Sequence, residues 1–371
     1  MKKICFIVSS PLTVTSFLKG PIEELSKSFH IYLIANFYNI DSNILNDLPL
    51  KGVYSFEIVR KISVFRDFSC LLKLIHFFYK NKFDAIHSVS PKAGLLGTLA
   101  GFVSFIPVRI HTFTGQVWHT KKGITKIVLK NIDRLIVACA TKILVDGRSQ
   151  ISFLKKNQII RDKGLVLGNG SISGVEIKKF SPSKSVRVNS RKKLKISNDE
   201  WVFMFLGRLN KDKGVIDLIK SFNLIDKKKY NCCLYLVGND EDNIKKRFGP
   251  ISQKVYFLPH KKKPEKIIQI SDTFCMPSYR EGFGVSVIEA SALEKPIICS
   301  NTYGLEDTVI NGKTGLKFPV GNILKLKDLL EYSLDNKIKM KKMGKEGRKY
   351  VKRNFDEKYL INAWKEFYRR I

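Results

Sequence analysis

The stretch "TFCMPSYREGFGVSVIEASALEKPIICS", Thr273 to Ser300, shows in one place how the chain is organised. "TFCMPS" (273–278) is a short apolar run, and a turn around Gly282 and Gly284 follows it. Val285, Val287, Ile288 and Ala290 then begin a helical pattern over about 285–294, and "PIICS" (296–300) is a second apolar run. Continuous apolar runs, unlike alternating ones, mark strands buried on both faces. Strand, helix and strand at this spacing make the unit of a parallel sheet. Glu281 and Glu289 bracket the turn with seven residues between them.

The alternation extends outward from there. Upstream in the same half, "WVFMFLG" (201–207), "CCLYLVG" (232–238) and "VYFLP" (255–259) read as strands, with helices over about 215–225, 241–248 and 263–270. After residue 320 the pattern is helical and basic to the end. The first half repeats the scheme. Strands are expected at 4–8, 30–35, 54–59, 83–89, 108–113, 142–146 and 164–168, and helices at about 17–28, 66–81, 93–105, 122–140 and 148–157. Between the halves, "FSPSKSVRVNSRKKLKISNDE" (180–200) turns polar and basic and reads as a linker. A chain of 371 residues exceeds one compact core, so two doubly wound α/β domains are expected. Such sheets bind ligands at the carboxyl ends of their strands, which places the expected site in a cleft lined by post-strand loops.

The 66 basic and 33 acidic residues leave a formal net charge of +33. That balance suits anionic partners, and a lysine-rich composition of the kind AT-rich genomes produce accounts for part of it. No nucleic-acid module is visible, so nucleic acid is not an expected partner. Seven cysteines, with one adjacent pair and no CxxC, read as reduced structural thiols of an intracellular protein. The apolar core of "MKKICFIVSSPL" is too short for a signal peptide and reads as a first strand. The longest apolar region, from Ala93, is broken by glycines, Thr98 and Ser104, and falls short of the roughly 20 residues of a membrane span. Any membrane contact is therefore expected to be peripheral.

Two loops carry chemistry. In "FLGRLNKDKG" (205–214), Gly207 lets the chain turn after a strand. Arg208 follows, and Lys213-Gly214 opens the next helix. Two cations beside a helix N-terminus form an anion site suited to phosphate or diphosphate. In the second loop, the backbone N–H groups of Phe283, Gly284 and Val285 start a helix and favour an anion, while Glu281 and Glu289 suit vicinal hydroxyls. Taken singly, Glu281 reads as a helix cap and Glu289 as a partner for a lysine. "NDEDN" (239–243) contains an Asp-x-Asp pattern, which helix capping explains without metal. No Walker A loop, HExxH motif or GxSxG elbow occurs.

Together, "GRLNKDKG", "PSYREGFGVSVIEASALEKPIICSN" and "GLEDTVINGKTGLKFPVGN" (304–322) resemble the retaining family 4 glycosyltransferases of the GT-B fold, over essentially the whole chain. The resemblance implies α/β architecture: two Rossmann-like domains facing a cleft, with a C-terminal helix crossing back to the first. The expected spans are an acceptor-binding domain over 1–180, a nucleotide-sugar domain over 181–350 and the C-terminal helix over 351–371. It implies that Arg208 and Lys213 hold the donor diphosphate and that Glu281 lies near the donor sugar. Gly207, Phe283, Gly284 and Val285 would line the donor, and Glu289 would bind the ribose. No cofactor or metal is implied beyond the nucleotide-sugar substrate.

"HSVSPKAGLLGTLAG" (87–101), "IHTFTGQVW" (110–118) and "GNGSISGVEIKKFSP" (168–182) resemble a subgroup that builds bacterial surface polysaccharides on lipid carriers. That implies a polyprenyl-diphosphate-linked acceptor, held near Ser10, Lys92, Ala93 and Gly94. It also implies a histidine, His111, at a strand end against the donor sugar, and a UDP-N-acetylhexosamine donor. The place implied is the cytoplasmic, inner face of the membrane, where lysines mixed with aromatics such as Phe77, Phe78, Tyr79 and Trp118 suit an anionic bilayer. Two departures stand out: "SSPLTVTS" (9–16) lacks a glycine pair common in relatives, and Ser173 replaces an asparagine common in the subgroup. The competing readings are a UDP-sugar epimerase of similar architecture and a nucleic-acid-binding protein suggested by charge alone.

Overall fold

The computed structural model describes residues 1–38, 40–59, 63–248 and 253–371. They divide into two compact units, one of residues 1–173 with 357–371 and one of residues 174–356.

The first unit is built on a parallel sheet of β1 (Lys3–Val8), β2 (His30–Ala35), β3 (Gly52–Ser55), β4 (Ala85–Val89), β5 (Val108–Phe113), β6 (Lys142–Val145) and β7 (Gly164–Leu165), ordered β3-β2-β1-β4-β5-β6-β7. The central strands are covered on both faces: β4 is buried at every position, His87 and Ser88 included. After β1, α1 (Pro11–Thr13) widens through a π-turn at Val14–Leu18 into α2 (Lys19–Leu25). α3 (Val64–Asn81), α4 (Pro91–Val103), α5 (Gly123–Cys139) and α6 (Arg148–Lys156) return the chain between later strands. α4 lies close to the sheet because its inward positions are small. A Cβ on Gly97 or Gly101 would stand 2.7 Å from Ile7 Cδ1 or 2.4 Å from Ile86 Cδ1, respectively.

The second unit repeats the design with β8 (Trp201–Leu206), β9 (Cys232–Val237), β10 (Val255–Leu258), β11 (Thr273–Met276), β12 (Ile297–Ser300) and β13 (Gly315–Phe318), ordered β10-β9-β8-β11-β12-β13. Its helices are α7 (Lys184–Lys193), α8 (Val215–Asn223), α9 (Ile244–Phe248), α10 (Pro264–Ile267), α11 (Val285–Ala292), α12 (Ile323–Asp335) and α13 (Lys337–Asn354). α14 (Glu357–Arg369) then returns to the first unit, as expected of a helix that crosses back. Leu360, Trp364 and Tyr368 are buried there in the core that holds Phe6. Full burial of one such side chain contributes about 1.5–3 kcal/mol.

Four expectations need correction. The stretch read as a linker is a structural part of the second unit. Within it, α7 sends Arg187 and Arg191 to Asp272 at 2.7 and 3.2 Å, and both arginines donate to the Ile270 carbonyl. Its polar composition reflects buried guanidinium work, which composition does not distinguish from solvation. The units meet at 173/174 rather than 180/181, because Val175 and Phe180 already belong to the second core. The last helical region breaks at Phe355-Asp356, so the returning helix starts at Glu357 rather than 351. β13 was not expected: "GLKF" is short, contains a lysine and is buried only at its ends, so it shows neither strand pattern. All seven cysteines are free and buried.

Candidate active site

In both sheets the chain reverses its winding direction beside the first strand, between β1 and β4 in one and between β8 and β11 in the other. Strand ends at such a reversal leave a crevice that no crossover covers.

In the second unit this point gathers the two chemical loops. Gly207 ends β8, and its carbonyl lies so near Gly238 that a Cβ there would sit 1.8 Å away. Gly214 (φ 67°) caps α8 where a Cβ would stand 2.0 Å from the Pro277 carbonyl oxygen. That contact explains the glycine after Lys213, since it lets the β8 loop lie against the β11 loop. The two loops are then tied by side chains. Lys213 Nζ donates to Glu281, which also accepts from Ser278 Oγ at 3.0 Å. Arg280 Nε donates to Asp212 at 2.9 Å, and Tyr279 donates from its hydroxyl to Asp217 at 2.6 Å. Glu281 is therefore no helix cap: it is a buried carboxylate, 8% exposed, held by a lysine.

Arg208 reaches Glu241 at 3.0 Å, and Asn210 Nδ2 donates to the same carboxylate at 2.7 Å. α11 begins at Gly284 (φ 80°) and no side chain caps it, so the backbone groups at Gly284 and Val285 make its positive end. Phe283 is anchored in the core against Phe355, 5.2 Å between centroids, and offers only its backbone. Gly304 packs behind the loop, where a Cβ would meet the Gly282 carbonyl oxygen at 2.5 Å, which accounts for the first residue of the third motif. Glu289 stands one turn into α11, partly exposed. Burial pushes its carboxyl up to about 8, with Glu265 adding to the rise and Lys179 opposing it. Asp240 accepts from the Ile244 and Lys245 amides at 2.8 and 2.9 Å, and Asp242 accepts from the Lys211 amide at 2.8 Å. Among the described residues no cluster of three or more His, Cys, Asp or Glu is arranged for a metal.

In the first unit the reversal point gathers small residues. Ser10 caps α1, accepting from the Leu12 amide at 3.3 Å, and Ser9 Oγ lies 2.7 Å from Ser90 Oγ. Ser90 caps α4 at φ 86°, ψ 150°, a region close to glycine-only that costs roughly 1–3 kcal/mol. Lys92 pairs with Asp67 of α3. Ala93 is buried, and Gly94 lies over the ring of His111, where a Cβ would stand 2.4 Å from Cε1.

His111 is the main departure. It sits inside β5 rather than at its end, 1% exposed, with Nδ1 2.9 Å from Ser88 Oγ. Burial lowers its pKa to about 3, so the ring is neutral at ordinary pH. His87 beside it is treated alike, held by the Tyr368 hydroxyl at 2.6 Å and Thr112 at 2.7 Å. Sequence spacing gave the strand its observed bounds, 108–113, but read His111 as standing at its end.

The sequence reading missed Glu241, Asp212, Arg280, Asp217 and Ser278. Arg280 and Ser278 lie inside a quoted motif, beside Glu281. The acids have no local signal, because their partners stand 33, 68 and 62 residues away.

Two Rossmann-like parallel-sheet domains, with cations and acids at the second sheet's reversal point, define a GT-B glycosyltransferase fold. Comparison agrees. Residues 186–350 match the family described as Glycosyl transferases group 1. The chain is 32% identical over 360 residues to the capsular polysaccharide biosynthesis glycosyltransferase CapM of Staphylococcus aureus, covering 94% of this chain and 91% of that protein. It is 24% identical over 352 residues to the UDP-Gal:alpha-D-GlcNAc-diphosphoundecaprenol alpha-1,3-galactosyltransferase of Escherichia coli, covering 92% and 89%. The crystal structure of Anabaena Alr3699/HepE in complex with UDP and glucose superposes with a TM-score of 0.81 at 17% identity, covering both chains fully. The chain belongs to the group 1 glycosyl transferases.

Proposed function

We propose that this glycosyltransferase moves a sugar from a UDP-sugar, with retention at the anomeric carbon, onto a lipid-diphosphate-linked saccharide during surface polysaccharide synthesis. The observation that carries the reading is the stitched pair of loops in the second unit. Lys213, Glu281 and Arg208 stand with the uncapped start of α11 at one reversal point. The acceptor class rests on the named activities of the two relatives, one in capsule synthesis and one acting on a diphosphoundecaprenol-linked sugar.

In this mechanism the bond between the anomeric carbon and the diphosphate oxygen loosens, and negative charge grows on the diphosphate. Arg208 and Lys213, turned from Glu241 and Glu281 to the donor as it binds, stabilise that charge together with the α11 amides. Glu281 accepts from sugar hydroxyls, and Glu289 from the ribose diol. The acceptor hydroxyl attacks from the face the leaving group departs. Its proton passes to the leaving phosphate oxygen, so no protein base is consumed. The leaving-group charge is met by side chains and helix amides, and turnover is expected to persist in a chelator.

The test is thermal unfolding with UDP-, GDP- and dTDP-sugars, including UDP-N-acetylhexosamines and UDP-galactose, on the wild type and Lys213→Ala. One nucleotide class should stabilise the wild type and lose most of that effect in the variant. No response to any nucleotide, or an epimerised donor formed without acceptor, would overturn the assignment.

A further inference from the structure

α3, α4 and α5 lie side by side on one face of the first sheet, α4 in the middle. In a parallel sheet each of these helices starts at the carboxyl edge of the strands. The first turns of α3 and α5 therefore flank the start of α4, and the pairing of Asp67 with Lys92 ties α3 to it directly. Leu95 of α4 packs into the cluster that holds Leu129 and Ile132 of α5.

Both flanking helices have a second apolar face turned to solvent. On α3 the inner face is Cys70, Leu74 and Phe78, yet Val64, Phe65, Phe68 and Leu72 are 74%, 90%, 60% and 52% exposed. At about 3.6 residues per turn these four fall within about 100° of arc, a continuous stripe centred roughly 130° from the core face. On α5, Ile124, Ile127 and Val128 are 80%, 60% and 47% exposed. Exposed apolar side chains grouped in this way on a soluble domain mark an interaction surface.

The charge around the stripes is positive apart from Glu57, which pairs with Arg66 at 3.2 Å. Arg66, Lys73 and Lys80 lie on α3, and Lys121, Lys122 and Lys126 lie at the start of α5. The acids of these helices are turned inward: Asp67 holds Lys92, and Asp133 is buried under the Trp118 indole, 2.7 Å from Nε1. No helix among the described residues is long and apolar enough to cross a membrane.

We infer that the amino-terminal turns of α3 and α5 form a docking face for an anionic lipid bilayer, with the start of α4 between them. Apolar side chains enter the headgroup boundary while lysines meet lipid phosphates. This places Ser90 and Lys92 at the depth of a lipid's diphosphate. The inference rests on the proposed lipid-linked acceptor, and it extends that reading to where the lipid surface lies.

The test is flotation of the full chain with vesicles of phosphatidylcholine alone or mixed with phosphatidylglycerol. Two variants are compared with the wild type: Phe65→Ser with Phe68→Ser, and Lys121→Gln with Lys122→Gln and Lys126→Gln. Each substituted side chain lies on the surface, so unfolding temperatures should match the wild type. The wild type should float with phosphatidylglycerol vesicles, and each variant should lose at least about tenfold in partitioning. Transfer to a short-chain, water-soluble acceptor should be unchanged in both. Undiminished flotation of both variants overturns the assignment, as does a wild-type dimer that these substitutions dissolve, which would make the face a self-association surface. Flotation without transfer from any nucleotide sugar would leave the docking face standing and sink the enzymatic reading.

Discussion

The two reversal points occupy the same place in similar sheets and are built from opposite materials. In the second unit the loops are held by ion pairs: Lys213 with Glu281, Arg280 with Asp212 and Arg208 with Glu241. In the first, one ion pair, Lys92 with Asp67, stands beside close packing of small residues: Ser9 on Ser90, Gly94 on His111, and a serine in near glycine-only backbone geometry. A crevice of paired charges can exchange a protein partner for a ligand's phosphate at little net cost. A crevice of mostly small groups leaves room for a bulky substrate and contributes shape. The contrast is what the proposed charged donor and extended acceptor would require of the two units.

The largest test of that contrast is Lys213→Ala. It should lower kcat/KM by about 100- to 1,000-fold, as loss of one preorganised charge does. A loss under threefold in steady-state transfer would break the comparison at its strongest point. In calorimetry at pH 9, where the carboxyl is ionised, Glu289→Gln should weaken nucleotide binding by roughly 10- to 100-fold, because a charge-assisted bond to the ribose is lost.

The same substitution should raise the unfolding temperature at pH 7 without ligand. The carboxyl is held near pH 8 in the fold, above its ordinary value of 4.5. Between those values the unfolded chain has already lost the proton that the folded chain keeps. Stability therefore falls as pH rises through that window, and the amide removes the penalty. Unfolding scans at pH 5 and pH 8 should show the variant's advantage growing with pH.

In the first unit, Gly94→Ala should destabilise by about 1–3 kcal/mol, since the methyl would strike His111. Denaturant melts with unchanged stability would show that the packing there is looser than the structure indicates. The smallest effect belongs to Glu241→Gln. Freeing Arg208 from an exposed pair should tighten nucleotide binding by about twofold to fivefold. Weaker binding would mean that Glu241 positions Arg208 instead of competing for it.

Much of this was readable from one dimension. The buried strands announce themselves as apolar runs, and the glycines at 207, 214 and 284 mark the turns, because periodicity and backbone freedom are local properties. β13 escaped since it is a short edge strand buried only at its ends, and α7 passed for a linker because its arginines work inside the fold. His111 illustrates the limit. A histidine near a strand end reads as reactive until the structure shows Ser88 and Gly94 closing over it.

The sequence by itself determined two parallel α/β sheets, their motif loops and the residue types at the second crevice, because each rests on spacing within a few turns of chain. Only the tertiary structure decided which carboxylate meets which cation, that His111 and His87 are neutral and enclosed, and that α3 and α5 present an apolar face to solvent. Those outcomes depend on partners tens of residues apart and on which side of a helix the core takes. Burial and long-range pairing set both, and no local pattern encodes either.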